Sequence, residues 1–239
     1  MGQAGTGKAP YGWKGDDVPG NLGTELVRAL KPRLRGWLHL AACPPAVAAG
    51  VVLICLAPTG LARLGAAIYT ATSALLFGIS ALYHRGHWSG RGEAVLRRLD
   101  HANIYLIIAG TYTPFALLVL EGGARIAVLT VVWGGATAGV IFRVAWLRAP
   151  RWLSTLLYVA LGWAAVFVLP DLARGAGSVV LTLVVLGGVL YSVGGLIYAL
   201  RRPDPWPRWF GFHEVFHSLT VVAYAAQAVA VFLVTFRAA

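Results

Sequence analysis

The chain has 239 residues, of which 12% are charged and 58% are hydrophobic, and its mean hydropathy is +0.71. Soluble globular proteins carry about 25% charged residues, so this composition excludes an ordinary water-soluble domain. The net charge of +11 does not indicate a nucleic-acid-binding protein, because most of the basic residues lie between long apolar runs.

The first 36 residues are polar and rich in glycine. They contain neither the short apolar core nor the small-residue cleavage site of a signal peptide. We expect residues 1–36 to form a flexible cytoplasmic tail. This tail leads either into a short interfacial helix near residues 23–30 or into an irregular basic anchor.

The rest of the chain is dominated by apolar runs long enough to cross a bilayer, which requires roughly 20 residues. In lipid each backbone amide must be paired within its own segment or in a closed barrel, and these long continuous runs are typical of helices. We therefore predict an all-α, seven-transmembrane helical bundle over residues 37–239. Its spans are expected at 38–57, 63–83, 101–120, 125–147, 152–170, 177–200 and 213–236.

The basic residues are distributed unequally between the two sides of this bundle. Sixteen of the 20 Lys and Arg residues fall on the side of the N-terminus and four on the other side. Cytoplasmic loops carry this kind of excess, which predicts a cytoplasmic N-terminus, an extracytoplasmic C-terminus and a multi-pass plasma-membrane protein. The basic loops are expected to meet anionic headgroups of the cytoplasmic leaflet. Arg outnumbers Lys 17 to 3, which is typical of a GC-rich bacterial genome.

All six histidines of the chain lie at the predicted cytoplasmic ends of the spans. His213 and His217 are one helical turn apart, so both imidazoles lie on one helix face and could bind one metal ion. Ionisable side chains in lipid are costly and usually face the bundle interior for a purpose. His39 and His87 are interpreted instead as interfacial residues that touch water or headgroups.

A third ligand from another helix would complete three histidines and leave a fourth position open, which is the arrangement of catalytic zinc. His84 is favoured because it lies at the same depth, with Ser80 one turn deeper on the same face, and His101 is the alternative. Asp100 is expected either to act beside the metal or to pair with Arg97 or Arg98. Neutral imidazoles favour Zn²⁺ among the available metals.

Glu214 follows His213 directly and faces about 100° away from it on a helix. We expect its carboxylate to cap the start of this helix or to meet a basic loop. It is not predicted to be the base.

Three stretches resemble the haemolysin III family, the bacterial branch of the progestin and adipoQ receptors. They are Ser-x-x-x-His at 80–84, "RRLDHANIYLIIAGTYTPFALL" at 97–118 and His-x-x-x-His at 213–217. The segment "KPRLRGWLHL" at 31–40 also fits the start of the first helix in that family. The resemblance covers about residues 30–237.

This resemblance implies a zinc ion held by His84, His213 and His217 near the cytoplasmic leaflet, with Asp100 and Ser80 as the catalytic residues. It also implies kinship with membrane hydrolases such as alkaline ceramidases. The function expected is therefore a zinc-dependent lipid amide hydrolase involved in membrane lipid homeostasis, in which a membrane lipid is the substrate or ligand.

Two other functions stay open at this level. The protein could be a non-enzymatic membrane regulator or receptor, in which zinc only ties helices together. It could also be a haemolysin-like pore, although pores usually carry polar groups across the whole membrane thickness. Here the ionisable residues gather at one end of the spans.

Overall fold

The computed structural model describes residues 32–146 and 149–237. The predicted helix near residues 23–30 and most of the predicted tail lie outside these segments. Regular structure in the described residues is helical, apart from an isolated bridge between Trp206 and Phe210. The helices are α1 (Trp37–Leu56), α2 (Gly60–Arg85), α3 (Gly90–Val119), α4 (Gly122–Ala145), α5 (Arg151–Gly162), a 3₁₀ helix (Trp163–Val168), α6 (Leu169–Leu200) and α7 (Phe212–Arg237).

Six helical segments among the described residues are long and apolar enough to cross a membrane. One of them, Arg151–Leu200, has 50 residues and includes α5, the 3₁₀ helix and α6. The predicted fifth and sixth spans both fall in this segment. An all-helical bundle is thus confirmed with six such segments, while the seven crossings and the orientation of the termini stay predictions.

The 50-residue segment folds back on itself. A straight helix of this length would extend about 75 Å, more than twice the roughly 30 Å of a bilayer core. The backbone breaks at Gly177, with φ 81° and ψ 169°, a conformation that glycine adopts without steric cost. The Trp163 indole donates a hydrogen bond to the Ser192 hydroxyl at 2.8 Å, and Thr155 contacts Gly195. Each contact pairs a residue near the start of the segment with one near its end. The two arms of the segment, before and after Gly177, are therefore antiparallel.

Small residues let the helices of a membrane bundle approach closely. A Cβ atom at Gly139 in α4 would lie 2.3 Å from the Tyr105 ring of α3. Gly187 and Gly194 of α6 similarly face Gln227 and Phe216 of α7. Close packing at these glycines therefore joins α3 to α4 and α6 to α7.

We expect Gly139→Ala to destabilise the protein by about 1–3 kcal/mol, because the added methyl group overpacks a buried contact. Gly134 provides a matched control in the same helix, because a Cβ there would meet nothing within 4 Å. Gly134→Ala should leave stability unchanged or raise it by less than ~1 kcal/mol. Thermal unfolding in detergent micelles measures both effects. Equal melting temperatures for the two variants would contradict this packing.

Candidate metal centre

Two helices bring three histidine side chains to one point. His84 lies in the last turn of α2, and His213 and His217 lie in the first two turns of α7. Nε2 of His213 is 3.2 Å from Nε2 of His84 and 2.8 Å from Nε2 of His217. The ligand nitrogens of all three residues lie within 4.8 Å of one another. The predicted convergence of these histidines is confirmed.

The chemistry of this cluster fits a metal ion. Each Nε2 carries either one hydrogen or one lone pair, so three that meet at one point cannot all satisfy one another. A cation removes this conflict. Two nitrogens bound to one tetrahedral zinc at about 2.0–2.1 Å are separated by about 3.3 Å, close to the 3.2 Å between Nε2 of His213 and Nε2 of His84.

Asp100 and Ser80 lie on one side of the three histidines. An Asp100 carboxylate oxygen is 3.7 Å from Nε2 of His84, and the Ser80 hydroxyl lies beside that carboxylate. Ser80 is 1% exposed, and Ser80 and Asp100 both form part of the wall of an internal cavity. The geometry therefore leaves room for a water molecule or a substrate oxygen beside Asp100.

The start of α7 is held by Glu214. One carboxylate oxygen of Glu214 accepts a hydrogen bond from the Gly211 amide at 2.8 Å, which satisfies a donor at the helix N-terminus. The other oxygen forms an ion pair with the Arg35 guanidinium. The expectation that Glu214 caps the helix or meets a basic segment is confirmed. This carboxylate fixes the turn that carries His213.

We expect Glu214→Ala to reduce the free energy of unfolding by about 3 kcal/mol, because it removes one partner of a buried ion pair. Glu93 is the matched control, since it is an exposed acid in the first turn of α3, and Glu93→Ala should cost less than about 1 kcal/mol. Chemical denaturation in micelles measures both. If Glu214→Ala were as mild as Glu93→Ala, the ion pair would not hold the start of α7.

The alternative third ligand, His101, is directed away from this centre. Its Nδ1 lies 2.6 Å from the Arg97 carbonyl oxygen, and its Nε2 lies 3.3 Å from the Tyr198 hydroxyl. Arg98 donates a hydrogen bond to the Val144 carbonyl at 3.1 Å. An Asp100 carboxylate oxygen lies 3.7 Å from His84, and His101 ties α3 to α6.

His39 corrects one interpretation made from the sequence. It is only 3% exposed, so it does not touch water or headgroups. Its ring centroid lies 3.9 Å from that of His217 and 5.1 Å from that of Phe77. Neither ring nitrogen has a hydrogen-bond partner in the described segments. The sequence signal for the burial of His39 was that it is a single histidine in an otherwise apolar span. His87, by contrast, is exposed as expected.

A cavity of about 180 Å³ begins next to this centre, at Ser80 and Asp100, and runs along the bundle. Its wall includes His39, Ser80 and Asp100 at one end and reaches Leu120 and Leu172 at the other. Asp100 and Leu120 are separated by about 30 Å along α3. Most of the side chains between them are apolar, so the cavity suits a hydrocarbon chain whose polar end lies near Ser80 and Asp100.

Comparison with known proteins agrees with these features. A family model described as "Haemolysin-III related" matches residues 27–228. The "Hemolysin-3 homolog" of Bacillus subtilis (strain 168) is 32% identical over 160 residues, which cover 67% of this chain and 72% of that protein. "Hemolysin-3" of Bacillus cereus is 35% identical over 135 residues, or 56% and 61% of the two chains.

A more distant similarity extends to plants. The "Heptahelical transmembrane protein ADIPOR2" of Oryza sativa subsp. japonica is 28% identical over 163 residues, which cover 60% of this chain and 69% of that protein. With the six apolar helical segments, these matches identify a multi-pass integral membrane protein. The chain belongs to the haemolysin III family, within the progestin and adipoQ receptor superfamily.

Proposed function

We propose that the protein is a zinc-dependent hydrolase that cleaves the amide bond of a membrane lipid. The observation that carries this proposal is the placement of Asp100 and Ser80 between three convergent histidines and an apolar cavity. A purely structural metal site would need the histidines but neither the carboxylate nor the cavity. When bound by His84, His213 and His217, zinc supplies a Lewis acid that polarises a carbonyl oxygen and activates water at neutral pH.

The protein's own residues would perform the proton transfers. Asp100 would accept a proton from the attacking water as the oxygen bonds to the amide carbonyl carbon. It would then return that proton to the nitrogen as the carbon–nitrogen bond breaks. The Ser80 hydroxyl would donate a hydrogen bond to the developing oxyanion. The products would be a fatty acid and a free amine.

We further propose that the bundle crosses the membrane seven times, with the N-terminus and the metal centre at the cytoplasmic face. The two antiparallel arms of the Arg151–Leu200 segment support two crossings there. The excess of basic residues on the N-terminal side supports the orientation. Cysteine accessibility on either side of spheroplast membranes would test both statements.

The proposed activity is tested by incubating purified protein with a panel of lipid amides, including N-acyl sphingosines. Fatty acid release should occur with zinc, stop with a chelator and return when zinc is restored. The absence of metal-dependent release from every amide would contradict the proposal. Ion flux in proteoliposomes that His84→Ala abolishes would support the pore suggested by the names of the Bacillus relatives.

A further inference from the structure

A second polar cluster lies inside the bundle, next to the metal centre but separate from it. Arg143, near the end of α4, is 3% exposed, and its Nη1 donates a hydrogen bond to the Ser154 hydroxyl at 3.0 Å. Its Nε is buried and has no hydrogen-bond partner within the described residues. An arginine stays charged in proteins, so this interior holds a positive charge.

No carboxylate among the described residues forms an ion pair with this charge, and Asp100, on which Arg143 acts electrostatically, lies beside His84. Asp171 pairs with Arg174, Glu214 pairs with Arg35, and Asp100 faces His84. A buried charge without a partner is strongly destabilising. A bound oxyanion beside Arg143 would complete the pairing of this charge.

Three buried hydroxyl groups in α3 and α5 also lack hydrogen-bond partners in the part of the chain that is described: those of Tyr105 and Tyr158, on which Arg143 acts electrostatically, and that of Thr155, which follows Ser154. The Tyr105 and Tyr158 rings are 4.6 Å apart between centroids. Tyr105 packs on Gly139, one turn before Arg143 on the same face of α4. Four unsatisfied polar groups in one interior region are unusual. All four can donate hydrogen bonds, which suits an oxyanion.

The cluster opens to the apolar cavity. Thr155 and Tyr158 form part of the cavity wall, together with Asp100 and the aliphatic side chains of α3. A ligand that satisfies the cluster can therefore place a hydrocarbon chain in the cavity. Its charged head would lie beside α4 and α5, and not among the three histidines.

We propose that Arg143, Tyr105, Thr155 and Tyr158 form an oxyanion-binding site that holds the head of a single-chain anionic lipid, whose tail lies in the cavity. The head is a carboxylate or a phosphate, because both oxyanions match the fork of guanidinium donors. This site goes beyond the proposed hydrolase, since it requires neither a bound metal nor turnover.

The test compares charged and neutral ligands of equal chain length in neutral detergent micelles. Equilibrium dialysis with radiolabelled palmitate, 1-palmitoyl lysophosphatidate and hexadecanol gives the preference for the acid over the alcohol. We expect Arg143→Gln to weaken binding of the preferred anion about tenfold to a hundredfold and to leave hexadecanol binding unchanged. Arg125→Gln is the matched control, because Arg125 lies at the opposite end of α4, where its side chain donates a hydrogen bond to the Leu120 carbonyl. This control should keep the full preference.

The relative affinities for palmitate and lysophosphatidate show whether the site prefers a carboxylate or a phosphate head. Competition by inorganic phosphate shows how much the hydrocarbon tail contributes to binding. An unchanged acid-to-alcohol preference in Arg143→Gln would overturn the proposal. Loss of the preference in His213→Ala but not in Arg143→Gln would overturn it too, because the anion would then lie at the histidines. Competition by inorganic phosphate as strong as that by the lipids would exclude a lipid ligand.

If Arg143→Gln does not fold, Tyr158→Phe decides the question, because it removes one hydroxyl and keeps the ring. We expect a severalfold weaker binding of the anion with unchanged hexadecanol binding. A variant that affects both ligands equally would indicate only a packing role for this cluster.

Discussion

Replacing His213 by alanine is expected to remove the metal from the protein. His213 lies between the other two histidines, with its Nε2 within 3.2 Å of both. Loss of a partner in the outer shell of a metal site weakens metal binding by about 10–100-fold. Loss of a direct ligand should exceed this, because only two imidazoles remain. We expect the zinc-to-protein ratio to fall from about one to near zero after dialysis against a weak chelator, as measured by mass spectrometry.

His87 is the matched control for this experiment. It is exposed and close in sequence to His84, so His87→Ala should retain the full metal content. Thermal unfolding of both variants in the chelated state separates metal loss from misfolding. Equal metal content in His213→Ala and His87→Ala would show that the three histidines do not form the centre.

Asp100→Asn should lower the rate of lipid amide hydrolysis by about 10²–10⁴-fold, the range typical of a general base. Asparagine keeps the size of the side chain but cannot take a proton from water. Asp100 does not belong to the group of three histidines that would bind the metal. The metal content and the unfolding temperature should therefore stay close to those of the wild type. Release of labelled fatty acid measures the rate.

The control is Asp171→Asn, which changes an exposed carboxylate paired with Arg174 at the surface. This variant should hydrolyse lipid amides at the wild-type rate. An undiminished rate in folded, metal-loaded Asp100→Asn would remove Asp100 from the mechanism. If the biological effect of the protein also survived this substitution, the metal would have only a structural role.

The helices could be predicted from the sequence, because lipid restricts the backbone so strongly. Long apolar runs must be helical. The ends of each helix are predicted where charged residues or prolines interrupt the apolar run. The sequence predicted the reversal within Arg151–Leu200 only as a gap between residues 170 and 177. Its exact position was harder to predict, because helical backbone continues almost to the reversal. One glycine with positive φ separates the arms, and nothing in the composition distinguishes Gly177 from its neighbour Gly175.

The metal centre was predictable to a similar degree. The spacing of His213 and His217 placed both on one face, and the depth of His84 brought it to the same level. Depth alone could not place His39 or Arg143, since their burial depends on how helices rotate about their axes. Those rotations are set by close contacts such as Gly139 against Tyr105, which hydropathy does not reveal.

Two of the three grouped histidines belong to α7, the last described helix in the chain. A nascent polypeptide that has released α1 to α6 into the bilayer therefore offers only His84. The group of three histidines forms when α7 docks against α2. A partially inserted chain without α7 lacks two of the three proposed ligands, so it would not carry out the proposed hydrolysis of surrounding lipids.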